Sequence, residues 1–204
     1  MKGLLLKDYY TLFKQARIFL LIIIVFAVMP GQSVQTMAVV YAALLPITAL
    51  AYDERAKWDS LAAMMPIVVK DIVLSKYLLG YAGIIGASVL SIAGQAVIGA
   101  VRHTAFEPEL LPSLILTACV SIVLLSINLP IMFKAGVEKG RIVFLLLLGA
   151  IGAVVLIMSE KLDNMLQIAS ANIGSVAIAA AAVTAVISIA SICVSTTMYK
   201  HRAV

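Results

Sequence analysis

The hydrophobic positions of this 204-residue chain fall into long apolar stretches separated by short polar segments. Six of the stretches approach the roughly 20 residues that an α-helix needs to cross a bilayer core. They lie at about residues 17–30, 34–52, 77–100, 110–133, 142–158 and 173–198. With 63 % hydrophobic and 12 % charged residues, the composition excludes a soluble globular domain. The pattern therefore predicts an all-α polytopic membrane protein: one domain, residues 1–204, with six transmembrane helices.

The cationic residues indicate the orientation of these spans. With the N-terminus in the cytoplasm, only Arg102 and Lys161 of the 15 Lys and Arg residues fall outside. This is the positive-inside bias, and the opposite orientation would invert it. We therefore expect a multi-pass protein of the bacterial cytoplasmic (inner) membrane with both termini in the cytoplasm. The net charge of +5 sits beside span ends, where it meets anionic lipid, so we expect membrane lipid and no nucleic acid as a partner.

The N-terminal segment has an amphipathic pattern. Over residues 3–16, Lys7, Thr11 and Lys14 recur on one helical face, while the opposite face is apolar and aromatic. This pattern predicts a helix that lies on the cytoplasmic surface of the membrane. The alternative is that the segment is the frayed beginning of the first span.

Residues 53–76 form the largest predicted cytoplasmic segment. Asp53 is placed to cap a short helix over Glu54–Met65, Pro66 ends that helix, and a second helix begins near Asp71 and continues into the third span. One stripe of the first helix contains Trp58, Leu61, Ala62 and Met65. Held by the ends of two spans, this unit is suited to transmit force from a partner. The alternative is an amphipathic connector that rests on lipid.

Small and uncharged polar residues distinguish the spans. Gly83, Ala87 and Ser91 form a small-xxx-small row, which lets helix backbones approach closely. The span centres contain no Asp, Glu, Lys or Arg, although ion-coupled transporters and intramembrane enzymes commonly need such groups, so we disfavour both classes. Four polar residues are candidates for a translocation path: Gln95, Thr117, Ser121 and Asn128. The alternative is that they only bond neighbouring helices.

No motif for catalysis, a metal or a nucleotide stands in the sequence. The chain lacks the GxxxxGK[ST] phosphate-binding pattern, so we expect it not to be an ATPase. Cys119 and Cys193 are isolated in apolar stretches, and His103 and His201 lie far apart, so neither pair has metal-ligand spacing. Any chemistry therefore has to occur in the membrane or be supplied by a partner.

Two parts of the sequence resemble a known family. They are the beginning, MKGLLLKDYY, and the inner segment with Asp53-Glu54, Trp58, Pro66 and Ile72-Val73-Leu74-Ser75-Lys76-Tyr77. Both are similar to the type 2 permeases of ATP-binding-cassette transporters, in particular the small six-span bacterial branch. Many relatives have an Arg three residues after the proline, where this chain has Val69 followed by Lys70.

The resemblance implies a permease with an interfacial elbow helix at 1–16 and a cytoplasmic coupling helix between spans two and three. The coupling helix would dock on a separate nucleotide-binding ATPase subunit, which holds ATP and Mg, and two identical or homologous permeases would pair. The residues implied in ATPase coupling are Asp53, Glu54, Trp58, Leu61, Met65, Pro66, Lys70 and Lys76. Of these, Glu54 and Trp58 would face the ATPase, and Lys76 would anchor the segment at the membrane surface.

The resemblance also bears on cargo. Small bacterial members often export peptides, antimicrobials or lipids, so we expect export of an amphipathic, peptide- or lipid-like substrate, with antimicrobial peptide resistance as one such role. A hypothesis from a different class is a non-transporting membrane protein, an immunity or scaffold factor that binds a toxin or another membrane protein. Such a protein would need no ATPase.

Overall fold

The computed structural model describes residues 2–65, 68–102, 110–157 and 173–202, and all regular structure in them is α-helical. The helices in chain order are α1 (Lys2–Gln15), α2 (Arg17–Val28), α3 (Gln32–Ala42), α4 (Leu45–Arg55), α5 (Trp58–Ala63), α6 (Val69–Arg102), α7 (Leu110–Ala135), α8 (Val137–Ile157) and α9 (Ile173–Arg202). The predicted all-α class is confirmed. Pro66, His103 and Lys161 lie outside the described residues.

Four helical stretches among the described residues are long and apolar enough to cross a membrane: Ser33–Arg55, Val69–Val101, Leu111–Ala135 and Ile178–Lys200. The number is up to five if α1 and α2, which meet at 84°, count as one bent span. The predicted number of six is therefore not confirmed. The 12 residues of α2 are about 18 Å long at 1.5 Å per residue, too short alone for a core of about 30 Å. The predicted fifth span coincides with α8, which has 21 residues.

The predicted second span consists of two helices. α3 ends at Ala42, and α4 begins at Leu45 with Pro46 in its first turn. Proline lacks the N–H that an interior helical residue donates, so it is tolerated in the first turn of a helix, where that N–H would have no partner within the helix. The position of Pro46 as the second residue of α4 fits a new helix that begins at Leu45.

Small residues let α6 approach the first half of the chain closely. A Cβ at Gly83 would lie 2.6 Å from Leu45 Cδ1, and a Cβ at Gly94 would lie 3.0 Å from the backbone of residues 27–28. The other members of the predicted row, Ala87 and Ser91, are buried. The close packing predicted from the row is confirmed, and it makes α6 a central helix that contacts α2, α3, α4, α7 and α9.

The polar connectors meet at one end of the helix bundle. One buried cluster there draws residues from α1, α5, α6, α7 and α9: Leu4, Ala62, Ile72, Val73, Phe133 and Tyr199. At the same end, the end of α4 bonds to the first residue of α8. Four parts of the chain thus lie at the same end of the bundle: α1, the segment at 53–76, the α7–α8 connector and the end of α9. This is the arrangement expected when successive spans run in opposite directions.

Candidate functional site

The connector between α4 and α6 exposes an apolar surface at this end. α4 ends at Arg55, Lys57 takes a left-handed backbone conformation with φ of 51°, and the six-residue α5 follows. Four apolar side chains around α5 are exposed and are here named the apolar tip: Leu61, Met64, Met65 and Val68. Met64 is 83 % exposed. Exposed groups of apolar residues, and of flexible methionines in particular, are typical of protein-binding surfaces.

The predicted helix over Glu54–Met65 has the wrong boundaries. Asp53 and Glu54 belong to the last turn of α4, and the chain turns at residues 56–57 before α5 begins at Trp58. The predicted cap by Asp53 is wrong, because Lys57 is the N-cap residue of α5 and no side chain supplies a capping hydrogen bond. A left-handed lysine is uncommon, so the pattern of residue types does not indicate this turn. The predicted second helix is confirmed; it begins at Val69 and runs to Arg102.

Trp58 turns toward the interior and does not join the apolar tip. Its side chain packs against the buried cluster at this end of the bundle, and its Nε1 is buried without a hydrogen-bond partner among the described residues. Lys7 Nζ lies 4.1 Å from the centroid of the indole ring, within the range of a cation–π interaction. The predicted stripe therefore divides: Trp58 and Ala62 are directed inward, and Leu61 and Met65 are exposed.

Four charged side chains next to Trp58 form a cluster that is here named the charge quartet: Lys7, Asp8, Asp53 and Lys76. Lys76 Nζ lies 2.7 Å from Asp8 Oδ1 and 2.5 Å from Asp53 Oδ2. Lys7 Nζ lies 2.7 Å from Asp53 Oδ1 and 3.1 Å from Asp8 Oδ1. Each lysine thus contacts both aspartates, and two positive and two negative charges join α1, α4 and α6.

The charge quartet is largely shielded from solvent. Asp8 and Lys76 are each 1 % exposed and Asp53 is 9 % exposed. Removing a charge from water costs several kcal/mol, and only close partners of opposite sign offset that cost. Asp8 Oδ2 has no hydrogen-bond partner among the described residues, so the offset at this carboxylate is incomplete. The main effect of the quartet is geometric: it fixes how α1, α4 and α6 lie against one another.

The structure places Lys76 in the interior of the protein. Because α6 begins at Val69, the lysine lies two turns inside this helix, where it is buried against two carboxylates. Its role as an anchor at the membrane surface stays a prediction. Lys70, in the first turn, is exposed.

Glu54 supports the beginning of α8. Its Oε2 accepts a hydrogen bond from the Val137 N–H at 3.1 Å. The first N–H groups of a helix have no partner within the helix, and a carboxylate there also interacts favourably with the helix dipole. Gly136, just before α8, has a φ of 89° that favours glycine. Glu54 thereby connects the end of α4 to the α7–α8 connector.

Comparison with protein families decides the class of this chain. The family model described as ABC-2 family transporter protein matches residues 3–200, nearly the whole chain. The chain belongs to this family. It is a multi-pass ABC-2 type permease, and permeases of this family in general work with an ATPase subunit. No curated protein and no solved structure matches the chain.

Two of the polar candidates for a translocation path in this permease hydrogen-bond within the protein. Gln95 Oε1 accepts a hydrogen bond from Gln35 Nε2 at 3.4 Å, which joins α6 to α3. Thr117 Oγ1 donates to the Ser113 carbonyl of its own helix at 2.7 Å. The geometry of these two residues agrees with the alternative that they bond helices or their own backbone.

The other two candidates are buried in α7. Ser121 and Asn128 are fully buried and lie seven positions apart on one helical face. Asn128 Nδ2 lies 3.9 Å from Met132 Sδ, whereas Asn128 Oδ1 and Ser121 Oγ have no hydrogen-bond partner within the described part of the chain. The assignment of these four residues to a translocation path stays a prediction.

A buried hydroxyl network in the permease was not anticipated from its sequence. The Tyr77 hydroxyl lies 2.5 Å from Ser191 Oγ and 2.8 Å from Ser195 Oγ, and Ser191 donates to the Ser126 carbonyl. These bonds join α6, α7 and α9. The signal was present in the spacing of polar residues along one face of α9: Thr184, Ser188, Ser191 and Ser195.

The role of Asp8 was also not anticipated from the sequence. It is the only acid among the first 52 residues and follows Lys7 directly. A charged residue rarely becomes buried unless it is paired, so the burial of this lone acid implies a cationic partner. Its partner Lys76 is 68 positions away, which no local pattern indicates.

Proposed function

We propose that this permease is the membrane subunit of an ATP-binding-cassette exporter that moves an amphipathic, peptide- or lipid-like substrate. ATP is hydrolysed by a separate nucleotide-binding subunit, which also binds Mg. The observation that carries the proposal is the apolar tip at the charged end of the bundle of an ABC-2 family chain. This end is cytoplasmic by the positive-inside rule, so the tip is presented where a soluble ATPase is found.

The tip and α5 are the proposed coupling helix. Leu61 projects from α5, and Met64 and Met65 follow in the turn directly after it. An exposed apolar edge of this kind, held between α4 and α6, fits a groove on a partner. Behind it, Trp58 and the charge quartet maintain its position. Lys70 is exposed at the beginning of α6 and is one of the cations available to contact an acidic residue of the ATPase.

α1 is the proposed elbow helix at the cytoplasmic membrane surface. Its bend of 84° relative to α2 is what a surface helix followed by a span needs. One face exposes residues that suit the membrane–water interface: Leu6, Tyr9, Tyr10 and Phe13. The opposite face is buried through Leu4, Asp8 and Leu12. Both termini would then be cytoplasmic in a bacterial inner membrane.

Features of the spans support the proposed cargo. Between Leu78 and Val101, α6 has no charged residue, and a strongly hydrated ion would find little to replace its water there. Ser121 and Asn128 supply buried polar atoms without partners in the described structure, which a peptide bond or a lipid headgroup could engage. Exposed apolar residues of α8 and α9, among them Leu146 and Ile189, leave surface for a second permease copy or a homologous chain.

The test is reconstitution of the permease with its co-purifying ATPase in vesicles. ATP hydrolysis and substrate movement are measured across a panel of amphipathic peptides and fluorescent lipids. Stimulation of hydrolysis and ATP-dependent movement by one class supports the proposal. A permease that binds no ATPase, or protects cells from a toxin without one, would contradict it and favour an immunity or scaffold protein.

A further inference from the structure

The charge quartet joins three elements that the chain connects only loosely. The residues between α5 and α6 that the structure describes are not helical. In the sequence, α1 is separated from α4 by α2 and α3. The cross-links are therefore made by side chains. Lys76 holds α6 to Asp8 of α1 and to Asp53 of α4, both within 2.7 Å.

Lys7 extends this cluster to α5, the helix beside the apolar tip. Its Nζ contacts Asp53 Oδ1 at 2.7 Å and also lies 4.1 Å from the ring centroid of Trp58, the first residue of α5. A displacement of α5 therefore acts on Lys7, then on Asp53, and through Asp53 on Lys76. Each step is a direct contact, and the last residue lies on the central helix α6.

The composition of the cluster favours one arrangement over others. Three members are buried, so any arrangement that separates a lysine from its aspartates leaves an uncompensated charge in a dry environment. The chain thus resists sliding of α1 or α4 relative to α6. Buried ionic groups are well suited to such a registering role and poorly suited to maximal stability.

Resting on the proposed function, we propose that Lys7 and Asp8 of α1 are positioning residues of the coupling machinery. Through the charge quartet they hold the ATPase-facing segment in register with α6, so that displacement of the apolar tip moves the third predicted span and is not absorbed by the residues between α5 and α6. On this view α1 is a mechanical part of coupling as well as a membrane-surface helix.

The experiment uses the permease reconstituted with its ATPase and measures substrate moved per ATP hydrolysed. Asp8→Asn keeps the shape of the side chain and removes its charge. We expect ATPase binding and hydrolysis to persist while the ratio falls by between about twofold and about thirtyfold, the range for substitutions within a coupling network. Glu138→Gln, which removes an exposed carboxylate in the first turn of α8, is the matched control and should retain the wild-type ratio.

Rescue separates positioning from a general loss of structure. Asp8→Glu keeps the negative charge beside Lys7 and Lys76 and is expected to recover part of the ratio that Asp8→Asn loses. If the Asp8→Asn protein does not accumulate in the membrane, the ratio is measured with Lys7→Gln instead. Lys7 is partly exposed, and its replacement leaves the two Lys76 contacts in place. A wild-type ratio in Asp8→Asn, or in Lys7→Gln where that variant decides, would overturn the inference.

The same measurement keeps the two proposals apart. If the wild type couples transport to ATP hydrolysis and the variants keep its ratio of substrate moved per ATP, only the proposed role of α1 is contradicted. ATP-independent behaviour of the wild type removes the proposed function itself.

Discussion

Lys76 of α6 is ion-paired with Asp8 of α1 at an Nζ–Oδ1 distance of 2.7 Å, across 68 positions of sequence. The pair lies at the end of the bundle where the apolar tip is exposed, and Asp53 at the end of α4 completes the contact from the other side. The helices α1, α4 and α6 are therefore fixed to one another by charge.

Replacing Lys76 by Met is expected to destabilise the permease strongly. The substitution leaves two buried aspartates with Lys7 alone, and removing one partner of a buried ion pair costs about 3–5 kcal/mol. The measurement is the free energy of unfolding in mixed micelles. Lys70→Met is the matched control, since Lys70 is exposed six positions earlier on the same helix, and its effect should stay within about 0.5 kcal/mol. Equal effects of the two variants would show that the quartet does not form.

Trp58→Ala is expected to uncouple ATP hydrolysis from transport, whereas Trp58→Phe is expected to retain most of the coupling. Phenylalanine keeps an aromatic face for Lys7, and nothing is lost by removing an indole N–H that has no hydrogen-bond partner in the described residues. The readout is substrate transported per ATP in vesicles. Unchanged transport by Trp58→Ala would remove Trp58 from the coupling assignment.

Met64→Glu is expected to weaken ATPase binding without changing the stability of the permease. Met64 is the most exposed residue of the apolar tip, and a carboxylate there would have to lose its water in an apolar groove. We expect a loss of about tenfold or more in affinity, measured with the detergent-solubilised subunits, which corresponds to about 1.4 kcal/mol. Met64→Leu keeps the apolar surface and should bind as the wild type does. If both variants bind equally well, the tip is not the contact.

Gly94→Ala is expected to destabilise the packing of α6 against the first half of the chain. The added methyl would lie 3.0 Å from backbone atoms of residues 27–28, and such overpacking costs about 1–3 kcal/mol. Gly86→Ala, eight positions earlier in the same helix, meets nothing within 4 Å and should be neutral or stabilising by up to about 1 kcal/mol. Thermal unfolding in detergent compares the pair, and a neutral Gly94→Ala would contradict the close approach.

Helix positions were largely predictable because they depend on local composition. The predicted spans coincide with helices in the described residues, and Gly83 with its row correctly indicated a close helix contact. The number of spans was harder to predict. A 12-residue α2 after an 84° bend satisfies the apolar pattern of a span without its length.

The side-chain roles at the candidate site were harder to predict because they depend on contacts between distant segments. Asp53 follows the pattern of a helix cap, yet its carboxylate binds Lys7 from α1 and Lys76 from α6. Trp58 follows the pattern of an exposed stripe, yet the cluster behind α5 draws it inward. The left-handed turn at Lys57, which has no glycine or asparagine to mark it, separates α4 from α5 and permits both outcomes.

Site-directed photo-crosslinking from position 64 tests the central claim most directly. A photoreactive residue in place of Met64, in the otherwise intact permease, is expected to crosslink to the ATPase subunit, and the yield should change when ATP is bound. The same residue in place of Leu146, an exposed apolar position on α8, should give no such product. A complex that assembles and transports but never crosslinks from position 64 would contradict the claim that this connector receives the force of ATP hydrolysis.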